Sequence, residues 1–381
     1  MDNVSPPPLN TEPLATPPPA TPPPVTPPPV IVPPPSTRPP RKGRGWMIIA
    51  IVLLVLLAFS VLLNFGALVE KTFSLKGVNT HTAGPRLEEV TLEDNDASAK
   101  IAVVEISGII TSQLQQGGVN MVDVIKAQLK RAGEDRKVKA VILKVDSPGG
   151  EVLTSDEIYR AIKDFKKPVI CSMGSLAASG GYYVSAPCRW IVANELTITG
   201  SIGVIMSTWN YRHLMDKIGV SPLVFKSGKF KDMLSGSKDP SEITDEEKQM
   251  VQDLINETFG RFKDIVAEGR TQAYKQNNQQ GQKLTSKWED YADGRVLSGT
   301  EAYKLGFVDE LGNFEVAVKR AKSIAGVLQA NLIEYQPRVD LSDLFRLFGQ
   351  SEAKAVKLDL GVEMPKLEAG RLYFLSPTYL H

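Results

Sequence analysis

The sequence predicts an α/β fold with a mainly parallel sheet covered by helices on both faces. Three observations carry that reading. Short apolar runs such as Ile101–Ile110 and Val138–Val145 alternate with stretches of helical pattern. The runs are nearly all apolar rather than alternating, as strands buried on both faces require. Between them, apolar residues such as Val122, Ile125 and Leu129 recur at three- and four-residue spacing, the mark of helices packed on one side.

Residues 1–45 read as a proline-rich, disordered cytoplasmic tail. Eighteen of the 27 prolines fall in the first forty positions. Repeats such as Thr-Pro-Pro-Pro-Ala favour extended polyproline II and build no core. A semi-rigid spacer is the simpler reading, a ligand for proline-binding modules the sharper one. Arg38, Arg41, Lys42 and Arg44 then precede Trp46, and Met47–Leu63 is apolar apart from Ser60. With Phe65–Val69 the run exceeds the roughly 20 residues a bilayer core requires, so residues 46–69 are expected to form one transmembrane helix. A secretory signal peptide is disfavoured by the long proline tail ahead of the run and the lack of an Ala-x-Ala site. The basic cluster before the span predicts a cytoplasmic N-terminus and an extracytoplasmic remainder. Residues 70–99 read as a linker, polar and acidic over Glu88–Asp96.

Residues 100–325 carry the folded domain. Ile101–Ile110 is its first strand, followed by a helix marked by Val122, Ile125 and Leu129. Val138–Val145 is the second strand and ends in Asp146-Ser-Pro-Gly-Gly150. Thr154 and Glu157 have the spacing of a capping box for a helix through Phe165. Pro168–Ile170 runs as a strand into the small-residue stretch Cys171–Tyr183, a turn with Ser179 at its apex. Tyr182–Ala186 opens a helix that Pro187 stops. Further strands are expected at Trp190–Ala193, Thr199–Ile205 and Pro222–Phe225, with a helix over Asn210–Ile218. Ile243–Glu268 is a long amphipathic helix, and Gln272–Gln282 is a polar helix surface or a loop. Ala292–Gly312 holds a short helix and turns, and Val316–Ile324 is helical. Residues 326–381 form a C-terminal extension without clear period.

Lys+Arg 44 against Asp+Glu 43 leaves no basic excess, so no nucleic-acid partner is expected. Cys171 and Cys188 are the only cysteines and read as buried thiols, with a disulfide between them as the alternative; neither has the spacing partners of a zinc site. No metal or cofactor is expected.

The chemistry centres on Ser179. A serine on a sharp strand-to-helix turn exposes its hydroxyl beside amides that can hold an oxyanion. Of the three histidines, His81 lies in the linker, His381 is the last residue, and His213 sits in a predicted helix among ordinary polar residues. A Ser-His pair is therefore poorly supported. A lysine can act as base if desolvation lowers its pKa from about 10.4. Lys226, Lys229 and Lys231 cluster in one loop, and spacing alone does not choose among them. Gly149 and Gly150 permit close backbone approach, so an amide there could be a second oxyanion donor beside that of Gly180. Ser147, next to Pro148, reads as a turn residue. Ser201 could orient a neutral lysine or satisfy backbone groups.

Taken together, Asp-Ser-Pro-Gly-Gly-Glu-Val (146–152), Ser-Met-Gly-Ser-Leu-Ala-Ala-Ser-Gly-Gly-Tyr-Tyr (172–183), Thr-Ile-Thr-Gly-Ser-Ile-Gly-Val-Ile (197–205), Lys-Ser-Gly-Lys-Phe-Lys-Asp (226–232) and Ala-Asp-Gly-Arg-Val (292–296) resemble the signal peptide peptidase A family, peptidase family S49. These are membrane-anchored Ser-Lys proteases of the ClpP/crotonase superfamily. The resemblance implies a superhelix of βα units, with Ser179 as nucleophile, Lys231 as general base and Ser201 orienting that lysine. It implies an oxyanion region at Gly149, Gly150 and Gly180. It further implies cleaved signal peptides and other short apolar peptides as substrates. The single catalytic repeat resembles the short form of the family, whose homo-oligomeric rings can draw serine and lysine from adjacent protomers. Two other readings share the fold: a crotonase-like acyl-CoA enzyme, disfavoured where CoA is absent, and a non-catalytic membrane scaffold.

Overall fold

The computed structural model describes residues 49–57, 59–60, 85–113, 119–337 and 372–375. The chain divides into two compact units, residues 1–79 and 80–381. In the first, residues 49–57 and 59–60 are helical with exposed side chains. The proline tail and most of the expected span at 46–69 lie outside the described residues. Among the described residues, no helix is long and apolar enough to cross a membrane.

The second unit begins with β1 (Leu87–Glu93), β2 (Lys100–Ser107), α1 (Met121–Glu134), β3 (Val138–Ser147), β4 (Gly149–Glu151), α2 (Val152–Lys163) and β5 (Val169–Ala178). Next come α3 (Gly180–Ser185), β6 (Trp190–Ala193), β7 (Ile198–Gly200), α4 (Arg212–Lys217) and α5 (Asp245–Gln276). It closes with β8 (Val296–Ser298), α6 (Gly299–Leu305), β9 (Glu310–Leu311), α7 (Phe314–Ala325), β10 (Asn331–Pro337) and β11 (Tyr373–Leu375).

Nine of these strands form one sheet, in the order β1-β10-β2-β3-β5-β6-β9, with β7 beside the far end of β5 and β8 beside β7. Only β1–β10 and β7–β8 pair antiparallel. Both faces of the sheet are apolar. Ala102, Val104 and Ile106 of β2, with Val141, Leu143 and Val145 of β3, share a core with Ile125 and Leu129 of α1, Ile158 of α2 and Phe262 of α5. Ile101, Ala140, Ile142 and Ile170 belong to a second core with Ala317, Val318 and Ala321 of α7. Neighbours along a strand thus enter different cores, which is why the runs read as continuously apolar.

Several expectations change. Thr154 is not an N-cap: α2 starts at Val152, and the Thr154 hydroxyl instead donates to the Glu151 carboxylate at 2.8 Å. The small residues 171–178 are strand, because β3, β6 and β7 all offer ladder partners, so the turn shrinks to Ser179. Of Thr199–Ile205 only Thr199 and Gly200 are in a strand, as the end of the three-residue β7, and the expected helix at 210–218 is the six-residue α4. Pro222–Phe225 is irregular. The glutamine-rich segment is helical as far as Gln276, since Ala273 and Arg270 are buried on the inner side of α5. Both the expected linker and the expected extension give strands to the sheet, as β1 and β10. Glu88, Glu89 and Glu93 made β1 look like linker, but charge is usual on an exposed edge strand.

Arg270 and Asp309 form a buried ion pair that ties α5 to the segment just before β9. Arg270 also donates to the carbonyl of Cys188 at 2.9 Å, and Asp309 accepts from the Ile191 amide at 2.8 Å. Cys171 and Cys188 are both buried, unpaired thiols. Asp309→Ala would strand the guanidinium without a counter-charge, and a buried charge so orphaned costs about 3–5 kcal/mol. Urea unfolding of the variant should show a loss of unfolding free energy of that size; a loss below about 1 kcal/mol would mean that water reaches the pair.

Candidate active site

The parallel sheet delivers β3 and β5 to one end, where β3 turns through Pro148 into β4 and β5 turns through Ser179 into α3. Ser179 has φ 55° and ψ −116°, a conformation that a residue with a Cβ rarely adopts. It is imposed from both sides. The Ser179 amide donates to the Gly200 carbonyl at 2.8 Å, continuing the β5–β7 ladder, and its carbonyl accepts from Tyr183 at 2.8 Å, starting α3. The Ser179 hydroxyl does not cap the helix, and the residue is only 1% exposed. The turn was expected to expose the hydroxyl; in the single chain it is instead buried, strained and without a hydrogen-bond partner among the described residues.

The two glycine turns meet here. Gly149 has φ 98°, and a side chain there would overlap the Phe374 carbonyl oxygen and come within 2.5 Å of the Gly180 amide nitrogen. A side chain on Gly180 would press on Gly150 N at 3.1 Å and Ser155 Oγ at 2.8 Å. Glycine at both positions therefore lets β4 and the start of α3 touch. The Gly149 amide is already committed, donating to Ser147 Oγ at 3.1 Å, which gives Ser147 the turn role expected of it. The Gly180 amide has no acceptor among the described residues, and Gly150 faces the strand that pairs with β4. Gly150 thus lies in the β4–β11 ladder opposite Phe374, and of the three expected oxyanion glycines only Gly180 has an amide without a partner among the described residues.

Glu151 follows these glycines and was not singled out from the sequence. Its carboxylate accepts from Thr154 Oγ1 at 2.8 Å, the Ser112 amide at 3.0 Å and Thr111 Oγ1 at 3.2 Å. Burial pushes its pKa up, but these hydrogen bonds win and hold it below the ordinary glutamate value. The carboxylate fixes β4 to the segment after Ile110, which itself bonds Gly149 and Glu151 along the other edge of β4.

Ser201 is also brought here, one residue past the Gly200 that pairs with Ala178. It is buried, with φ 48°, and its amide donates to the Arg295 carbonyl at 2.7 Å. Lys231 is not brought into bonding contact with Ser179 or Ser201 within one chain; it is exposed. The loop around it is a series of turns rather than extended, with Lys231 N–H to Gly228 and Met233 N–H to Phe230. The three lysines nevertheless separate. Lys226 pairs with Asp232 at 2.6 Å and Lys229 with Glu246 at 2.5 Å, whereas the Lys231 amine has no carboxylate partner among the described residues. His213 is exposed on α4. The arm carrying the lysines, residues 206–238, also leaves Trp209, Leu223 and Phe225 82%, 82% and 88% exposed.

Residues 161–328 match the family model described as peptidase family S49. A protein of Enterococcus faecium named "Putative signal peptide peptidase SppA" is 36% identical over 275 residues, 69% of this chain and 75% of that protein. "Putative protease slr0021" of Synechocystis sp. is 38% identical over 267 residues, 69% of this chain and 88% of its own length. "Protease 4" of Haemophilus influenzae is 34% identical over 64% of this chain, but over only 38% of its own.

Proposed function

The chain belongs to peptidase family S49, a family of serine-type peptidases, and from that premise we propose that it is a membrane-anchored endopeptidase in which Ser179 and Lys231 form a dyad. Its substrates are cleaved signal peptides and other short apolar peptides. The observation that carries the reading is the strained, buried Ser179 beside the Gly180 amide. Lys231 takes the proton from Ser179 Oγ as that oxygen attacks the peptide carbonyl carbon, and the oxyanion lies on that amide. The protonated amine then gives its proton to the leaving nitrogen, and the C–N bond breaks. Water, deprotonated by the same lysine, releases the acyl group.

The lysine comes from an adjacent copy in a homo-oligomeric ring. Support for this lies in the exposed Lys231 and in the apolar side chains of its arm, which a monomer would leave in water. Cover by a neighbour would exclude water from the amine, the condition under which a lysine acts as base. A ClpP/crotonase-like superhelix is the family's version of the mainly parallel α/β architecture. The apolar run at 47–63 supports a single-pass anchor at 46–69, with the N-terminus cytoplasmic and the protease domain outside.

Labelling of the detergent-solubilised full chain with a fluorophosphonate tests the nucleophile. The adduct should map to Ser179 and appear only in size fractions larger than one chain. An adduct on another serine, or equal labelling of the monomer, would remove the proposal.

A further inference from the structure

The residue after Lys231 is an aspartate, and the fold keeps its charge occupied. Asp232 Oδ2 accepts from Lys226 at 2.6 Å, and Lys238 Nζ stands 3.7 Å from Oδ1. The side chains of Asp232 and Lys238 are only 16% and 9% exposed, although residues 227–238 form little but turns and bends. Lys238 also pairs at 2.5 Å with Glu247, itself 4% exposed. That carboxylate accepts from the Thr244 amide at 3.0 Å, while the Glu247 amide donates to Thr244 Oγ1 at 3.2 Å, the capping box that starts α5. Charges of alternating sign therefore run through Glu247, Lys238, Asp232 and Lys226, from the first turn of α5 into the loop that carries Lys231. Phe262, Ile265 and Val266 seat α5 in the core, so the row ties that loop to the body of the domain.

An ammonium beside a free carboxylate holds its proton more firmly, and a lysine that must act as base then does so only at higher pH. Asp232 Oδ1 is buried without a hydrogen-bond partner among the described residues, so it would take one from any amine within reach. The Lys226 hydrogen bond, reinforced by the Lys238 charge, holds the Asp232 carboxyl below the ordinary carboxylate range. The Glu247 hydrogen bond holds the Lys238 amine above the ordinary lysine value. Both groups thus keep their charge in the range where peptides are cut. Other charges on the elements packed here are spoken for: Lys229 pairs with Glu246 at 2.5 Å, Arg212 with Asp216 at 2.9 Å and Lys248 with Asp245 at 2.9 Å. Asp239 accepts from Ser241 Oγ at 2.6 Å, and His213, Lys217 and Glu242 are exposed.

We infer that Lys238, together with Lys226, is a positioning residue for Lys231: the two amines occupy the Asp232 carboxylate and so leave the neighbouring amine free to give up its proton. Glu247 orients Lys238 from the start of α5. The inference rests on the reading of Lys231 as base. All four groups lie on the same chain as Lys231, so they travel with it into the site of the adjacent copy.

The pH dependence of kcat/KM for peptide cleavage is measured on the detergent-solubilised full chain. Its acid limb follows the protonation of the base in the free enzyme. Lys238→Met should move that limb up by about one pH unit, so that cleavage falls about tenfold below the limb and returns on the alkaline plateau. Lys238→Arg keeps the charge and should leave the limb in place. Asp232→Asn added to Lys238→Met removes the carboxylate and should bring the limb back to its wild-type position. Equal loss at every pH in Lys238→Met, or a shifted limb that Asp232→Asn does not restore, overturns the inference, since a merely structural prop would behave in that way. Lys231→Ala separates the two readings. If it abolishes cleavage while Lys238→Met leaves the limb unmoved, the dyad stands and the inference falls. If it cleaves normally, the base lies elsewhere and both fall.

Discussion

Ser179→Gly is expected to abolish peptide hydrolysis while raising the free energy of unfolding by about 1 kcal/mol. The serine is held at φ 55°, ψ −116°, a region that costs a residue with a Cβ roughly 1–3 kcal/mol. Glycine removes that cost but gives back about 0.5–1 kcal/mol through the freedom of its unfolded chain. Ser179→Ala keeps the strain, so it should lose activity without the gain in stability. Both variants should lower kcat by at least about 10³-fold, the usual loss when a nucleophile is removed. Urea denaturation beside a peptide assay reads both quantities. If Ser179→Gly is no more stable than Ser179→Ala, the turn at Ser179 is not strained and its conformation ceases to mark a nucleophile.

Lys231→Ala should be as inactive as Ser179→Ala, yet chains of the two kinds co-expressed in equal amounts should recover about a quarter of wild-type activity. In a ring whose sites each take serine from one copy and lysine from the next, random mixing leaves that share of sites intact. Sites built within single chains would recover nothing. Retained activity in Lys231→Ala with loss in Lys229→Ala would move the base. That outcome is disfavoured because Lys229 already pairs with Glu246.

The sequence made the centre of the domain legible and its margins obscure. β2, β3 and β6 announce themselves because strands buried on both faces need apolar residues at every position. Ser179 and the paired glycines were legible because sharp turns restrict residue type to very few. β1 and β10 were hidden: an edge strand carries charge for solubility, and its partner gains meaning only from a register formed 240 residues away. β11 has three residues, too few for any period to show. The lysine could not be chosen from spacing, because what separates Lys231 from Lys226 and Lys229 is which carboxylates the fold brings to the other two. The aromatic cluster in the core was equally invisible, since Tyr183, Phe262 and Phe374 are joined only by tertiary packing.

The position of β10 between β1 and β2 has a bearing on how the chain matures. A ribosome releases β1 first, but the berth beside it stays empty until residues 331–337 have been made, so the sheet's outer edge waits for the strands and helices in between. Non-local pairing of this kind is slow, and it leaves apolar strands open to chaperones meanwhile. A truncated translation product therefore lacks the seam that closes the sheet, and the cell would meet it as a client for quality control rather than as a stray protease.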